Sequence, residues 1–193
     1  MDILITKYIG IKGTAILARH GYEELVNKYP EWLIDEASLF DNNIQCGYEN
    51  ETLKEVSISL SNGAVYAEEY DEFGVYEALF KMAQSLKCGL EVDIKAIPIK
   101  QETVEVCEFF GVNPYAMFSG YSAVIVSDDG VRMVEKLNEA GIMATIVGHT
   151  TPGNDKVLIN EDERGFLQHI RKDQLKDILG RKVYHERTNL SST

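Results

Sequence analysis

The 193-residue sequence has few cysteines, and those it has are widely spaced. The three cysteines, Cys46, Cys88 and Cys107, are odd in number and widely spaced, and show neither the pattern of a disulfide framework nor the spacing of a zinc site. Cys107 follows apolar residues at helical spacing, so we expect a buried thiol on a helix face. A reducing cytoplasm is the compartment that this cysteine usage indicates.

Basic residues are also scarce, with 19 Lys and Arg against 31 Asp and Glu and a formal net charge of −12. Such a charge repels phosphate backbones and anionic lipids, which excludes nucleic acid and membranes as expected partners. The sequence lacks a basic leader and a long apolar run, so it predicts neither a secretory signal nor a membrane span. Hydrophobic residues nevertheless make up 45%, which is typical of a globular protein with its own core.

Hydrophobic periodicity predicts alternating strands and helices. A strand over 3–9 is followed by a glycine turn and three short helices that end near residue 40. Then come, in order, strand 64–67, helix 75–86, strand 90–94, helix 103–110, strand 122–126, helix 128–140, strand 142–148, a hairpin over 156–167 and helix 172–179. This order predicts an α/β (α+β) fold, a mixed sheet covered on one face by helices in ferredoxin-like βαββ units. We expect one domain over 1–180 and a polar tail over 181–193.

The apolar residues between 51 and 62 fit two kinds of element. Val56, Ile58 and Leu60 alternate as in a strand, and the Asn-Gly pair that follows is a hairpin signal. Leu53, Val56 and Leu60 equally form a helical stripe that a glycine would end. Periodicity leaves both interpretations open.

Two stretches resemble the AIR synthase-related family of ATP-dependent enzymes, which includes HypE-like and selenophosphate synthetase-like proteins. Residues 2–18 are similar to the segment that links the two domains of the family, and residues 102–115 are similar to the most recognisable part of the HypE-like second domain. The order of the elements after residue 115 is similar as well. The resemblance implies an AIR synthase C-terminal-domain-like fold over most of the chain. It also implies that an N-terminal domain, which would precede residue 2, supplies most of the site for ATP and magnesium.

The family has a second-domain motif of the form His-Asp-x-Thr-Glu/Asp-Gly-Gly, and residues 68–74 stand in its place. Only Glu72 and Gly74 match it; Glu68 replaces the histidine and Phe73 replaces the first glycine. Two glycines there bring backbone N–H groups close to a ligand at a helix N-terminus, and the ring of Phe73 takes that space. This departure predicts a domain without stand-alone catalysis, so we assign no catalytic residue.

The turn from Gly10 to Thr14 is the first candidate binding site. Gly10, Lys12, Gly13 and Thr14 are candidate phosphate ligands, because the free N–H groups and the dipole at a helix N-terminus attract anions. Gly74 joins them through the motif. The alternative is a tight turn in which Thr14 caps the helix.

Acidic residues before Gly74 form the second candidate site. Glu69 and Glu72 are candidate magnesium ligands, because that ion prefers carboxylate oxygens. The alternative is that these side chains are solvated or compensate a helix N-terminus. His149 follows a strand and is a general acid or base only if it has a partner, which the sequence does not identify. No metal ligand set is assigned.

The function that this pattern predicts is that of a small-molecule-binding, regulatory or partner half of an ATP-dependent HypE-like maturation or synthetase enzyme. Mg-ATP is expected to bind only with a complementary N-terminal domain. The alternatives are an active part of such an enzyme and an unrelated interaction module. We expect a homodimer or a complex with a separate ATP-binding chain, because a domain severed from its partner exposes an apolar face.

Overall fold

The computed structural model describes residues 1–42, 48–49, 52–70, 73–170, 172 and 174–180. The strands are β1 (Asp2–Thr6), β2 (Tyr48–Glu49), β3 (Thr52–Leu53), β4 (Tyr66–Tyr70), β5 (Gly89–Asp93), β6 (Ser122–Ser127), β7 (Ala144–Thr151), β8 (Lys156–Asn160) and β9 (Glu163–Phe166). The helices are α1 (Ile11–His20), α2 (Tyr22–Val26), α3 (Glu31–Ser38), α4 (Lys54–Ser61), α5 (Gly74–Leu86), α6 (Gln101–Phe110) and α7 (Gly130–Glu139). Short 3-10 helices span Ile94–Ala96 and Pro114–Ala116, and residues 174–180 are helical.

Seven strands form one sheet in the order β4-β6-β1-β7-β5-β8-β9. Among the described strands of this sheet, β5 and β8 pair in parallel and the other neighbours are antiparallel. This confirms the predicted mixed sheet. β1 lies in its interior, between β6 and β7, as its continuous apolar sequence indicates for a strand covered on both faces.

The expectation that helices cover one face of the sheet is wrong. Ile3 and Ile5 of β1 pack with α5 in one apolar cluster, whereas Leu4 packs with α4 and α7 in another. Because side chains alternate along a strand, these two clusters lie on opposite faces. The reason is that β6, like β1, is buried at nearly every position, so each face needs its own helices.

A third cluster belongs to helices beside the sheet. It joins α1, α3 and α6 and includes Leu17, Ile34 and Val106, all without exposed surface. Cys107 lies within it, which confirms the predicted buried thiol, and burial raises the pKa of Cys107 to about 12. Leu175, from the helical residues 174–180, packs against the same cluster.

The ambiguous stretch after residue 51 is a helix, α4, that follows the short strand β3. Its buried residues are Glu55, Val56 and Ser59, which share one helical face, while Leu60 is exposed. A strand would instead bury alternate residues. Packing of Val56 and Leu53 onto the sheet therefore decides between the two interpretations.

Within the described ranges, no helix is long and apolar enough to cross a bilayer. The predicted tail at 181–193 lies outside the described residues, and the extent of the domain stays a prediction.

Candidate functional site

The sequence-predicted residues meet at one end of the sheet. Antiparallel pairing of Ile5 with Val124 and of Tyr70 with Ser122 places the ends of β1 and β4 beside the start of β6. We call this end the loop edge; it comprises residues 7–14, 69–70, 73–74 and 114–122. Gly10, Lys12, Gly13, Thr14, Glu69 and Gly74 all lie there. Glu72 lies outside the described residues.

Backbone donors at the start of α1 are bonded within the chain. The N–H of Gly10 donates to the side-chain hydroxyl of Ser119 at 2.7 Å. The N–H of Lys12 donates to the backbone carbonyl of Ser119 at 3.0 Å. The N–H of Gly13 donates to the carbonyl of Phe118 at 3.1 Å. Segment 118–119 therefore occupies the position in which a phosphate would meet these donors.

The alternative in which Thr14 caps α1 is wrong, because the helix begins at Ile11 after Gly10. Gly10 has a φ of 72°, and that left-handed backbone starts the helix one turn earlier than the threonine indicates. The hydroxyl of Thr14 instead donates to the Gly10 carbonyl at 2.7 Å and lies 3.0 Å from the hydroxyl of Thr103 on α6.

The three predicted glycines, Gly10, Gly13 and Gly74, pack around one segment, residues 114–119. A Cβ at Gly13 would lie 2.7 Å from Cγ of Met117. A Cβ at Gly74 would lie 2.6 Å from the carbonyl oxygens of Met117 and Tyr115. The glycines thus allow two helix starts, α1 and α5, to approach the backbone closely, which is a packing role that the sequence alone does not distinguish from ligand binding.

Lys12 carries a positive charge at the loop edge. Its Nζ lies 4.1 Å from the ring centroid of Tyr121 and 5.1 Å from that of Phe118. Such cation–π contacts hold the ammonium group over the segment that leads into β6.

Three of the five described non-glycine residues with a positive φ lie at the same edge. Lys7, Phe73 and Tyr121 are non-glycine residues with φ of 56°, 64° and 64°. Left-handed conformations of this kind cost free energy and persist where surrounding packing imposes them, often near functional sites.

A largely buried ion pair joins Lys7, at the loop edge, to Glu55 on α4. Nζ of Lys7 lies 2.7 Å from Oε1 of Glu55, whose side chain is 1% exposed. Oγ1 of Thr6 lies 3.4 Å from the same carboxylate oxygen, and the N–H of Ala123 donates to that Oγ1 at 2.8 Å. Sequence reasoning missed this pair. The available signal was a glutamate on the helical face of Val56, which the strand interpretation obscured.

A cleft of about 200 Å³ opens where the edge strand β4 faces α5. We call it the β4 cleft; its lining residues are Tyr66, Glu68, Glu69, Tyr70, Phe73, Glu77, Ala78, Lys81 and Val124. The hydroxyl of Tyr66 donates to the carboxylate of Glu68. Burial is the main cause that raises the pKa of Tyr66, and this hydrogen bond raises that pKa further. Glu69 thus has a cleft beside it, whereas the predicted glycines do not line that cleft.

Glu77 is the second buried carboxylate that sequence reasoning missed. Its Oε2 lies 2.8 Å from Nδ1 of His169 and accepts from the N–H of Ile170 at 3.2 Å. The imidazole of His169 also stacks on Phe80 at 5.0 Å between centroids. Glu77 therefore fastens the segment after β9 to α5.

His149 is not brought to the loop edge. It pairs with Asp2, at the opposite end of β1, and its Nε2 lies 3.8 Å from a carboxylate oxygen of Glu91 on β5. Across the part of the chain that the structure describes, no three His, Cys, Asp or Glu side chains come together as metal ligands.

Comparison with known families matches residues 55–160, more than half of the chain, to the family described as AIR synthase related protein, C-terminal domain. No curated protein matches the chain.

Several solved structures share the fold. HypE from E. coli, a hydrogenase maturation protein, is 18% identical with a TM-score of 0.66, over 92% of this chain and 52% of that one. HypE in complex with ATP is 13% identical with a TM-score of 0.63, over 90% and 52%. Thiamine-monophosphate kinase from Stenotrophomonas maltophilia K279a is 14% identical with a TM-score of 0.57, over 84% and 50%. The chain spans about half the length of these relatives, and the likeness shows the fold alone.

Proposed function

The chain belongs to the AIR synthase related protein family, as its C-terminal domain, and on that premise we propose that it is the partner half of an ATP-dependent enzyme, without catalysis of its own. Membership of the family overturns the alternative of an unrelated interaction module. The fold does not select the substrate, because HypE and thiamine-monophosphate kinase share it.

The observation that carries the proposal is the bonding at the start of α1. The N–H groups of Gly10, Lys12 and Gly13, which a phosphate would need, donate to Ser119 and Phe118. A phosphate would have to displace bonds that are already made, and the exchange leaves the displaced carbonyl groups without donors. A nucleotide held mainly by a partner domain requires no such exchange.

The size of the β4 cleft supports the same conclusion. At about 200 Å³ it is smaller than the ~300 Å³ at which pockets for drug-sized ligands begin. A nucleotide bound there would therefore extend out of the cleft, with much of its surface uncovered by this chain. This chain covers 52% of the relative solved in complex with ATP.

Calorimetric titration with Mg-ATP tests the proposal. We expect the chain alone to show no binding tighter than about 1 mM. Mixed with the N-terminal half of a related protein, the chain should tighten binding about tenfold over that half alone. The N-terminal half by itself is the control, because it reports the nucleotide contacts that do not involve this chain. Micromolar binding to the chain alone would overturn the proposal.

A second function, an active part of an ATP-dependent enzyme, has one observation in its favour. The candidate phosphate residues Gly10, Gly13 and Thr14 lie at the same sheet end as Gly74 and the candidate metal ligand Glu69. Release of ADP by the mixture, lost in Glu69→Gln, would support this function. Binding without turnover would support the partner role.

We further propose that the chain associates, in the cytoplasm, with a second copy or with a separate ATP-binding domain. Its exposed apolar side chains include Trp32 on α3, 64% exposed, and Leu39, the residue that follows the end of α3. HypE, a structural relative, is found in a complex with HypF.

Sedimentation velocity tests self-association. At about 10 µM we expect a dimer, and we expect Trp32→Glu to shift it toward monomer by desolvating a charge at the contact. Val131→Glu, at an equally exposed position on α7, is the matched control and should leave the dimer intact. A wild-type monomer would leave only the separate ATP-binding domain as partner.

A further inference from the structure

We propose that the β4 cleft binds an organic cation, an ammonium or guanidinium group on a short apolar stem. The inference goes beyond the partner role, since the cleft is formed by this chain alone and requires neither ATP nor a second domain.

The chemistry of the cleft walls carries the inference. Three aromatic residues, Tyr66, Tyr70 and Phe73, line it together with three glutamates, Glu68, Glu69 and Glu77, and one lysine, Lys81. Aromatic faces and carboxylates both attract cations, and the two together select a cation that also has apolar surface. An anion would face an excess of negative charge, three carboxylates against one ammonium group, so phosphate and carboxylate ligands are disfavoured.

Two of these three carboxylates, those of Glu77 and Glu68, are held in place before any ligand arrives. Glu77 is 3% exposed, and the N–H of Ile170 and the ring of His169 orient it. Glu68 is oriented by the hydroxyl of Tyr66. A cation that enters therefore meets an arranged site, and little side-chain entropy is lost on binding.

Tyr70 is a buried residue of the cleft wall. It is 6% exposed, and its hydroxyl lies near the side chains of Ser119 and Ser122 without a well-formed hydrogen bond among the described residues. Buried polar groups are rarely left without a partner, because that costs about 1–3 kcal/mol. The lone pairs of a tyrosine oxygen accept an N–H donor of the kind that an ammonium or guanidinium group carries.

Phe73 lines the cleft in a strained backbone conformation. Its φ of 64° is left-handed, and Gly74 after it has a φ of 68°. Phenylalanine has no intrinsic preference for this conformation, so surrounding structure imposes it. The result is that a phenylalanine lines the cleft at a backbone conformation that favours glycine.

Lys81 acts as an internal competitor for the cleft. Its Nζ lies 4.0 Å from Oε1 of Glu77, while its side chain is 60% exposed. A lysine so exposed is held weakly, and an entering cation can displace it. Removing the charge of Lys81 is therefore expected to strengthen the binding of a cation. A variant that merely lost structure would bind the cation more weakly, so the two causes can be told apart.

The test uses the full chain and agmatine, which carries both an ammonium and a guanidinium group. Amide NMR titration should show millimolar binding, with shifts centred on Glu68, Phe73 and Lys81. Lys81→Met should raise the affinity about threefold to fivefold, and Glu68→Gln should lower it by a similar factor. Lys136→Met and Glu163→Gln make the same charge changes away from the cleft, at a half-exposed position on α7 and an exposed position on β9, and are the matched controls.

Equal effects of the cleft variants and their controls would overturn the proposal, since only the net charge would then matter. Shifts outside the cleft, or tighter binding of inorganic phosphate than of agmatine, would overturn it as well. The source of the cation is resolved by a second titration with acetyl-Gly-Lys-Gly-amide. Tighter binding of this peptide than of agmatine would indicate a lysine of a partner protein, and the reverse order would indicate a free amine.

Discussion

Gly74→Ala is expected to lower the free energy of unfolding by about 3–4 kcal/mol, the largest effect of any single methyl group that we predict here. Two costs combine. The φ of 68° at Gly74 is unfavourable for any residue with a Cβ, and that Cβ would lie 2.6 Å from the backbone oxygens of Tyr115 and Met117. Backbone oxygens, unlike the end of a flexible side chain, move only if the whole segment moves.

Gly111→Ala separates the two costs. Gly111 also has a left-handed φ, 66°, but a Cβ there would meet no atom within 4 Å. We expect a loss of about 1–2 kcal/mol, from the backbone conformation alone. Urea unfolding followed by circular dichroism gives both values. Equal losses in the two variants would show that the approach of α5 to residues 115–117 is looser than the structure has it.

Lys7→Met is expected to cost about 3 kcal/mol, since it leaves the carboxylate of Glu55 buried without its counter-charge. Methionine keeps the length and the backbone cost of lysine at a φ of 56°, so the change isolates the charge. Glu55→Met should cost a similar amount. The double variant should be markedly more stable than the sum of the single losses predicts, because it buries no isolated charge.

The exposed pair of Lys136 and Glu139 is the matched control for this double-mutant cycle. Nζ and Oε2 are 2.7 Å apart, as close as in the buried pair, but both side chains are solvated. Its coupling free energy should be about 0.5 kcal/mol or less. A coupling equally small for Lys7 and Glu55 would mean that water reaches the buried pair, and that it does not brace the loop edge.

Local patterns predicted much of this molecule. The continuous apolar sequence of β1 is typical of a central strand, and the stripe of α5 predicts the face that it buries. The resemblance to the AIR synthase-related family, based on residues 2–18 and 102–115, agrees with the family match over 55–160. Each of these features depends on neighbours within a few residues or on the order of elements, which sequence records directly.

Tertiary contacts decided the rest. Two interpretations of the stretch around Val56 had the same local periodicity, and only packing onto the sheet selected the helix. Local sequence also gives no indication that Gly10, Gly13 and Gly74 approach one segment, since a phosphate and a backbone carbonyl require the same glycines.

The ion pair of Lys7 with Glu55 and the cleft between β4 and α5 are likewise products of the fold. Forty-eight positions separate the two charges, and strand pairing with helix packing brings them within 2.7 Å. Sequence by itself determined most of the elements and the family they belong to, because those depend on periodicity and order. The tertiary structure decided what the loop edge and the cleft offer to a ligand, because burial and charge at a site are sums over residues distant in the chain.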